Sequence, residues 1–132
     1  MRFLCQNKMV DAVISSCGGI EEDFIKCQNS FYVGSFRNDD AQLRKDGINR
    51  IGNMLVPNDN YCDFENFLLP IIKGFNKRIA EEGLNLTPSI LIREMGKKIN
   101  NEESIYYWCY KNNIPIFCPG ITDGAIGDVF FF

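Results

Sequence analysis

The sequence predicts an α/β fold, a mostly parallel sheet with helices flanking it. Three observations carry this. Two short apolar runs, Ala12-Val13-Ile14-Ser15-Ser16-Cys17 and Ile114-Pro115-Ile116-Phe117, have the length and residue types of buried strands. Each is followed by a glycine-bearing loop, Gly18-Gly19 in the first case and Gly120 to Gly124 in the second. The residues between them carry helical periodicity, and strands separated by helices pair in parallel.

At the front, Phe3 and Leu4 run almost directly into Met9-Val10, and Met9 to Cys17 reads as the end of a helix or loop followed by the first strand. Ile20 to Cys27 reads as a helix with Ile20, Phe24 and Cys27 on one face. Strand, glycine turn and helix in that order place a phosphate or pyrophosphate at a helix N-terminus. The spacing is not the full G-x-G-x-x-G fingerprint, and Glu21-Glu22-Asp23 would repel a bare phosphate. That acidic triplet suits the start of a helix for its own sake, or a ribose or amine partner. Phe31-Tyr32-Val33 has the residue types of a short strand. Asn38-Asp39-Asp40 and Lys45-Asp46-Gly47 read as turns. Ile48 to Asn60 has no clean period and reads as loop with room for short strands.

Asp63 to Glu82 is the clearest helix. Phe64, Phe67, Leu68, Ile71, Ile72, Phe75 and Ile79 recur at i, i+3, i+4 and i+7. Asp63 can cap its start, Gly83 can end it, and Pro70 inside it should kink it. Thr87-Pro88 opens another helix, with Thr87 as N-cap and Pro88 in the first turn. Ile90, Leu91, Met95 and Ile99 are its inward face. Asn100-Asn101 breaks the chain, and Glu102-Glu103-Ser104 starts a third helix through Tyr110 with Ile105, Trp108 and Cys109 as its apolar stripe. Asn112-Asn113 ends that helix and leads into the second strand.

Composition bounds the rest. A chain of 132 residues, 45% hydrophobic and 23% charged, is one domain's worth and can build a core. A formal net charge of -3 argues against nucleic acid as a partner. No apolar run is long enough to span a bilayer and no signal peptide is visible, so a cytoplasmic, non-membrane protein is expected. The six cysteines form no C-x-x-C pair and read as small buried side chains in a reducing compartment. There is no histidine, so Ser-His-Asp and Cys-His nucleophile arrangements are excluded. Val129-Phe130-Phe131-Phe132 should be buried, and both ends read as cut from the middle of a larger fold.

The loop after the second strand is the candidate site. In an α/β sheet, ligands bind at the carboxyl ends of the strands. Here that position holds Gly120-Ile121-Thr122-Asp123-Gly124-Ala125-Ile126-Gly127-Asp128. Asp123 and Asp128 supply fixed negative charge for a cationic ligand, or for hydroxyl groups that donate to carboxylates. Asp-Gly is also ordinary turn chemistry. The spacing does not match a calcium loop, and no metal site is expected.

Five stretches together resemble one enzyme family. Gly18-Gly19-Ile20-Glu21-Glu22-Asp23-Phe24-Ile25-Lys26-Cys27 is similar to the G-G-V-E-E-D-hydrophobic-I-K-C segment of deoxyhypusine synthase. Gly47-Ile48-Asn49-Arg50-Ile51-Gly52-Asn53-Met54-Leu55-Val56-Pro57-Asn58 resembles that family's G-I-N-R-I-G-N-hydrophobic-hydrophobic-V-P-N run. Lys98 to Asn101, Glu103 to Trp108, and Thr122 to Asp128 continue the resemblance in order. It spans nearly all of this chain and only the middle of the family's sequence. The fold it implies is Rossmann-like, with residues 1–132 as the central portion of an NAD-binding domain.

The resemblance implies that NAD takes a hydride from spermidine. The resulting imine hands its aminobutyl group to an enzyme lysine, and then to a lysine of the hypusine-containing translation initiation factor. It implies a cytoplasmic homotetramer. Position by position it places Ser16, Cys17, Gly18, Glu22 and Asp123 at the NAD, and Glu21 and Asp128 at the amines of spermidine. Ser16-Cys17-Gly18 departs from the family's T-A-G, which leaves the backbone contacts in place and makes a hydroxyl contact from Ser16 an expectation. The family's histidine and its nucleophilic lysine, in a Trp-Gly-Lys context, come from a later part. The one tryptophan here, Trp108, is followed by Cys109-Tyr110, so no catalytic residue is expected among these residues and the chain alone should be inactive. The other reading is a catalytically inactive regulatory or paralogous subunit that pairs with an active synthase.

Overall fold

The computed structural model describes residues 1–131. The two apolar runs do form parallel strands: β1 (Val13–Ile14) pairs with β5 (Ile116–Phe117), in the register Val13 to Ile116 and Ile14 to Phe117. Alternation along the strands sends Val13 and Ile116 into the core and leaves Ile14 and Phe117 exposed on the other face.

The α/β class holds, but the sheet structure is mixed rather than mostly parallel. A second, antiparallel sheet joins β2 (Tyr32–Val33), inside the stretch read as a short strand, to β3 (Ile48–Ile51) and β4 (Met54–Pro57), in the stretch read as loop with room for short strands, in the order β2-β4-β3. The two-residue connection Gly52-Asn53 makes β3 and β4 a hairpin, and Gly52 supplies the positive φ (64°) that such a tight turn needs. Of the eight strand residues only Val56 is buried, which is why no period-2 pattern marked them.

The helices begin where short polar side chains cap them. In α2 (Cys17–Gln28) the cap is Ser16, whose hydroxyl accepts from the Gly19 N–H at 3.3 Å. The predicted Gly18-Gly19 turn is therefore the first turn of the helix itself. Asp39, expected in a turn, accepts from the Ala41 and Gln42 N–H groups and starts the short helix α3 (Asp40–Lys45). Thr87 caps α5 (Pro88–Ile99) and Ser104 caps α6 (Ile105–Asn112), as the sequence indicates. The long helix α4 (Asn58–Glu82) starts five residues before Asp63 and continues through Pro70 to Gly83, which ends it in the left-handed conformation. Asp63 is thus not a cap; its carboxylate accepts from the Asn29 amide at 2.8 Å. Two further helices were not foreseen: α1 (Arg2–Gln6), and α7 (Ala125–Phe131) after the candidate loop.

One core unites these elements. Phe24 and Ile20 of α2 meet Phe64, Leu68 and Phe75 of α4, Leu91, Ile92 and Met95 of α5, and Tyr106 and Cys109 of α6. On α6 the buried residues are Tyr106, Tyr107 and Cys109, while Ile105 and Trp108 are only half-buried, because the Trp108 indole turns to donate to the Glu102 carbonyl at 2.8 Å. Four cysteines are buried as expected, but Cys27 is half-buried and Cys62 on α4 is exposed. The expected burial of the apolar tail is also corrected. On α7, Ile126 and Val129 face the core, one helical turn apart, so Phe130 and Phe131 point outward and Phe131 is 84% exposed. Phe132 lies outside the described residues. Among the described residues no helix is long and apolar enough to cross a membrane.

Candidate functional site

A cleft of about 750 Å³ opens between the start of α4 and the loop after β5. Its carboxylates come from four places: Glu21 on α2, Glu65 on α4, Asp123 in the loop and Asp128 on α7. Asn49 of β3, Asn58, Tyr61 and Cys62 of α4, and Thr122 complete the polar wall. Asn49 donates to the Asn58 side chain at 2.6 Å, which ties the hairpin to the first turn of α4.

The acidic triplet of α2 points three ways, as successive residues on a helix must. Glu21 faces the cleft. Glu22 turns to Lys26, one helical turn on, at 3.2 Å. Asp23 turns inward and caps α6, accepting from the Ser104 hydroxyl at 2.6 Å and the Ile105 N–H at 3.0 Å.

Glu21 is the most enclosed carboxylate of the cleft. Burial pushes its pKa up, and this is partly offset by hydrogen bonds from the Ile126 N–H (3.3 Å) and the Cys17 thiol (3.6 Å). Gly124 permits the approach: a Cβ there would stand 2.7 Å from both carboxylate oxygens of Glu21. Beneath the cleft, Cys17 is fully enclosed and its thiol donates to the Ile121 carbonyl at 3.0 Å. Burial and the neighbouring Glu21 charge push this thiol up to about 12, so it stays protonated and remains a donor at neutral pH.

The structure brings together Glu21, Asp123 and Asp128, with Cys17 directly behind Glu21. Ser16, Gly18 and Glu22 do not line this cleft. Ser16 and Gly18 are at the start of α2, where the Ser16 hydroxyl is engaged as a cap acceptor, and Glu22 is engaged with Lys26. The residues that sequence reasoning missed are Tyr61, Cys62 and Glu65. They follow Asn58 at helical spacing as a polar stripe beside Phe64, a signal that was present in the sequence.

Chemically, this cleft suits a cation that carries several N–H donors. Its carboxylates would repel a pyrophosphate, whereas Asp123 can accept from a ribose hydroxyl and the first-turn N–H groups of α2 are donors of the kind a phosphate uses. A dinucleotide here would have to meet the chain through ribose hydroxyls and backbone N–H groups rather than through the carboxylates. Among the described residues no group of three or more Cys, Asp or Glu side chains is placed to hold a metal ion.

Comparison with known sequences then decides the family. The sequence model of deoxyhypusine synthase matches residues 1–132, the whole chain. The chain belongs to the deoxyhypusine synthase family. The deoxyhypusine synthase of Arabidopsis thaliana is 52% identical over 132 residues, covering all of this chain and 36% of that protein. The deoxyhypusine synthase of Nicotiana tabacum is also 52% identical, with 35% of its length covered. A crystal structure from Entamoeba histolytica assigned to deoxyhypusine synthase superposes on 98% of this chain and 37% of its own, with a TM-score of 0.73 at 28% identity. The chain thus spans little more than a third of the deoxyhypusine synthases it matches.

Proposed function

We propose that this chain forms the polyamine-holding part of a deoxyhypusine synthase. In this reading the full-length protein moves the aminobutyl group of spermidine to a lysine of the hypusine-containing translation initiation factor. The observation that carries the reading is the convergence of Glu21, Asp123 and Asp128, from three separate segments, on one cleft. Spermidine is a flexible polycation, and carboxylates spaced along a groove hold its ammonium groups by charge-assisted hydrogen bonds. Asp128 and Glu21 take the amines, and Asp123 takes a ribose hydroxyl of NAD. Ser16, Cys17 and Gly18 at the start of α2, with Glu22, lie along the remainder of the nucleotide. The chemistry that NAD would supply is acceptance of a hydride from the bound polyamine. The nucleophilic lysine lies in a part of the protein beyond this chain, as do the other strands of the Rossmann-like sheet to which β1 and β5 belong. Family membership also supports a cytoplasmic homotetramer.

The test is a pair of variants in the full-length protein, with spermidine and NAD titrated separately by calorimetry. Asp128→Ala should weaken spermidine binding about ten-fold, the worth of one charge-assisted bond, and leave NAD binding within about two-fold. Asp123→Ala should show the opposite bias. Equal losses of both ligands in either variant would overturn the assignment.

A further inference from the structure

The thiol of Cys17 is placed unlike that of any other cysteine in the chain. It is 2% exposed, yet it faces two oxygens and not an apolar wall: the Ile121 carbonyl at 3.0 Å and the Glu21 carboxylate at 3.6 Å. The same Glu21 oxygen accepts from the Ile126 N–H at 3.3 Å. A single buried S–H therefore joins three segments: the first turn of α2, the loop that carries Asp123, and the carboxylate that faces the cleft. The other donors to Glu21 are the backbone N–H groups of Ile126 and Ala125, both at the start of α7, so the thiol is the donor that reaches it from α2. Glu22 of α2, Glu65 of α4, and Asp123 and Asp128 beyond β5 are acidic. Tyr61 of α4 lines the cleft, and Cys118 after β5 is buried behind it.

From this arrangement we infer that Cys17 is a positioning residue: its thiol holds the Glu21 carboxylate and the Ile121–Asp123 loop in register, so that the cleft presents its acceptors to an amine in one fixed geometry. The inference rests on the reading of Glu21 as an amine ligand and deepens it. A protonated donor suits this role because it adds no charge to a site that must stay negative. The thiol bond also favours the ionised form of Glu21, opposing the burial that raises its pKa. Without the thiol, Glu21 holds its proton to a higher pH, and amine capture begins at a higher pH.

Three variants of the full-length protein test this, with spermidine binding measured by calorimetry from pH 4.5, the ordinary value for a glutamate, up to neutrality and thermal unfolding followed in parallel. Cys17→Ala should weaken spermidine binding about five-fold at neutral pH, the worth of one hydrogen bond, and move the onset of binding to higher pH. Cys17→Ser keeps an O–H donor and should recover at least half of the lost affinity and the original pH profile. Glu21→Gln should weaken spermidine binding more than Cys17→Ala does. If Glu21→Gln weakens binding while Cys17→Ala binds with wild-type affinity and pH profile, the positioning role is overturned and the reading of the cleft stands. If Glu21→Gln has no effect, both fall. If Cys17→Ala and Cys17→Ser lose affinity equally, with equal losses of thermal stability and no pH shift, the thiol only fills space and the inference is overturned.

Discussion

Phe24→Ala should destabilise the full-length protein by about 3–5 kcal/mol, the range for truncating a fully buried aromatic side chain. Phe24 is fully buried, and its ring lies 5.5 Å from the ring of Tyr106 on α6 and 5.9 Å from that of Phe67 on α4. It is thus the contact through which α2 meets two other helices at once. The cavity would be walled by Phe67 and by the fully buried Tyr106, each held by its own helix within the same core, which limits collapse into the space. Denaturation in urea, compared with Phe24→Leu, checks this. The leucine variant refills most of the volume and should lose less than half as much. A loss below about 1 kcal/mol for the alanine variant would mean that α2 is not anchored through this ring. The consequence reaches the site, because α2 carries Cys17 and Glu21 one helical turn apart, and any sliding of the helix moves both.

What could be read in the sequence was what short range decides. Thr87-Pro88 and Ser104 start helices through contacts made three residues away, and these were legible. Asp39 and Ser16 use the same chemistry, but Asp39 stands among other turn-forming residues and reads as a turn, while Ser16 follows an apolar run and reads as the end of a strand. The stripe on α4 was legible because its residues face one core; the strands of the hairpin were not, because they are mostly half-exposed on both faces. In the site, Asp123 and Asp128 stood out against their glycines, and the resemblance pointed to Glu21. That these three share one cleft, and that Tyr61 and Glu65 join them, depends on how α4 is rotated against α2 and α7, which only packing sets. The partner of Asp23 lies 81 residues away in the chain, beyond any local signal.

Asp23 carries the other large effect. Its carboxylate satisfies the fully buried Ser104 hydroxyl and the Ile105 N–H, the two donors that open α6. Asp23→Ala removes both acceptors and leaves both donors enclosed, which should cost about 2–4 kcal/mol. Asp23→Asn keeps an acceptor in the same place and should cost less than half of that. The pH dependence separates charge from geometry. Burial raises the pKa of Asp23 above its ordinary value of 3.8, with the two hydrogen bonds opposing the shift. An acid whose folded-state pKa is raised favours the fold in its neutral form. Its contribution is complete below pH 3.8 and is lost as the pH rises through the folded-state value. The asparagine variant has no such loss, so its deficit against the wild type should shrink as the pH rises from 3.8 toward neutrality. Thermal unfolding of the two proteins side by side over that range measures the difference directly. A deficit that grows with pH would mean that the ionised carboxylate, through its bonds to the start of α6, is the form the fold prefers, and that the hydrogen bonds outweigh the cost of burying the charge.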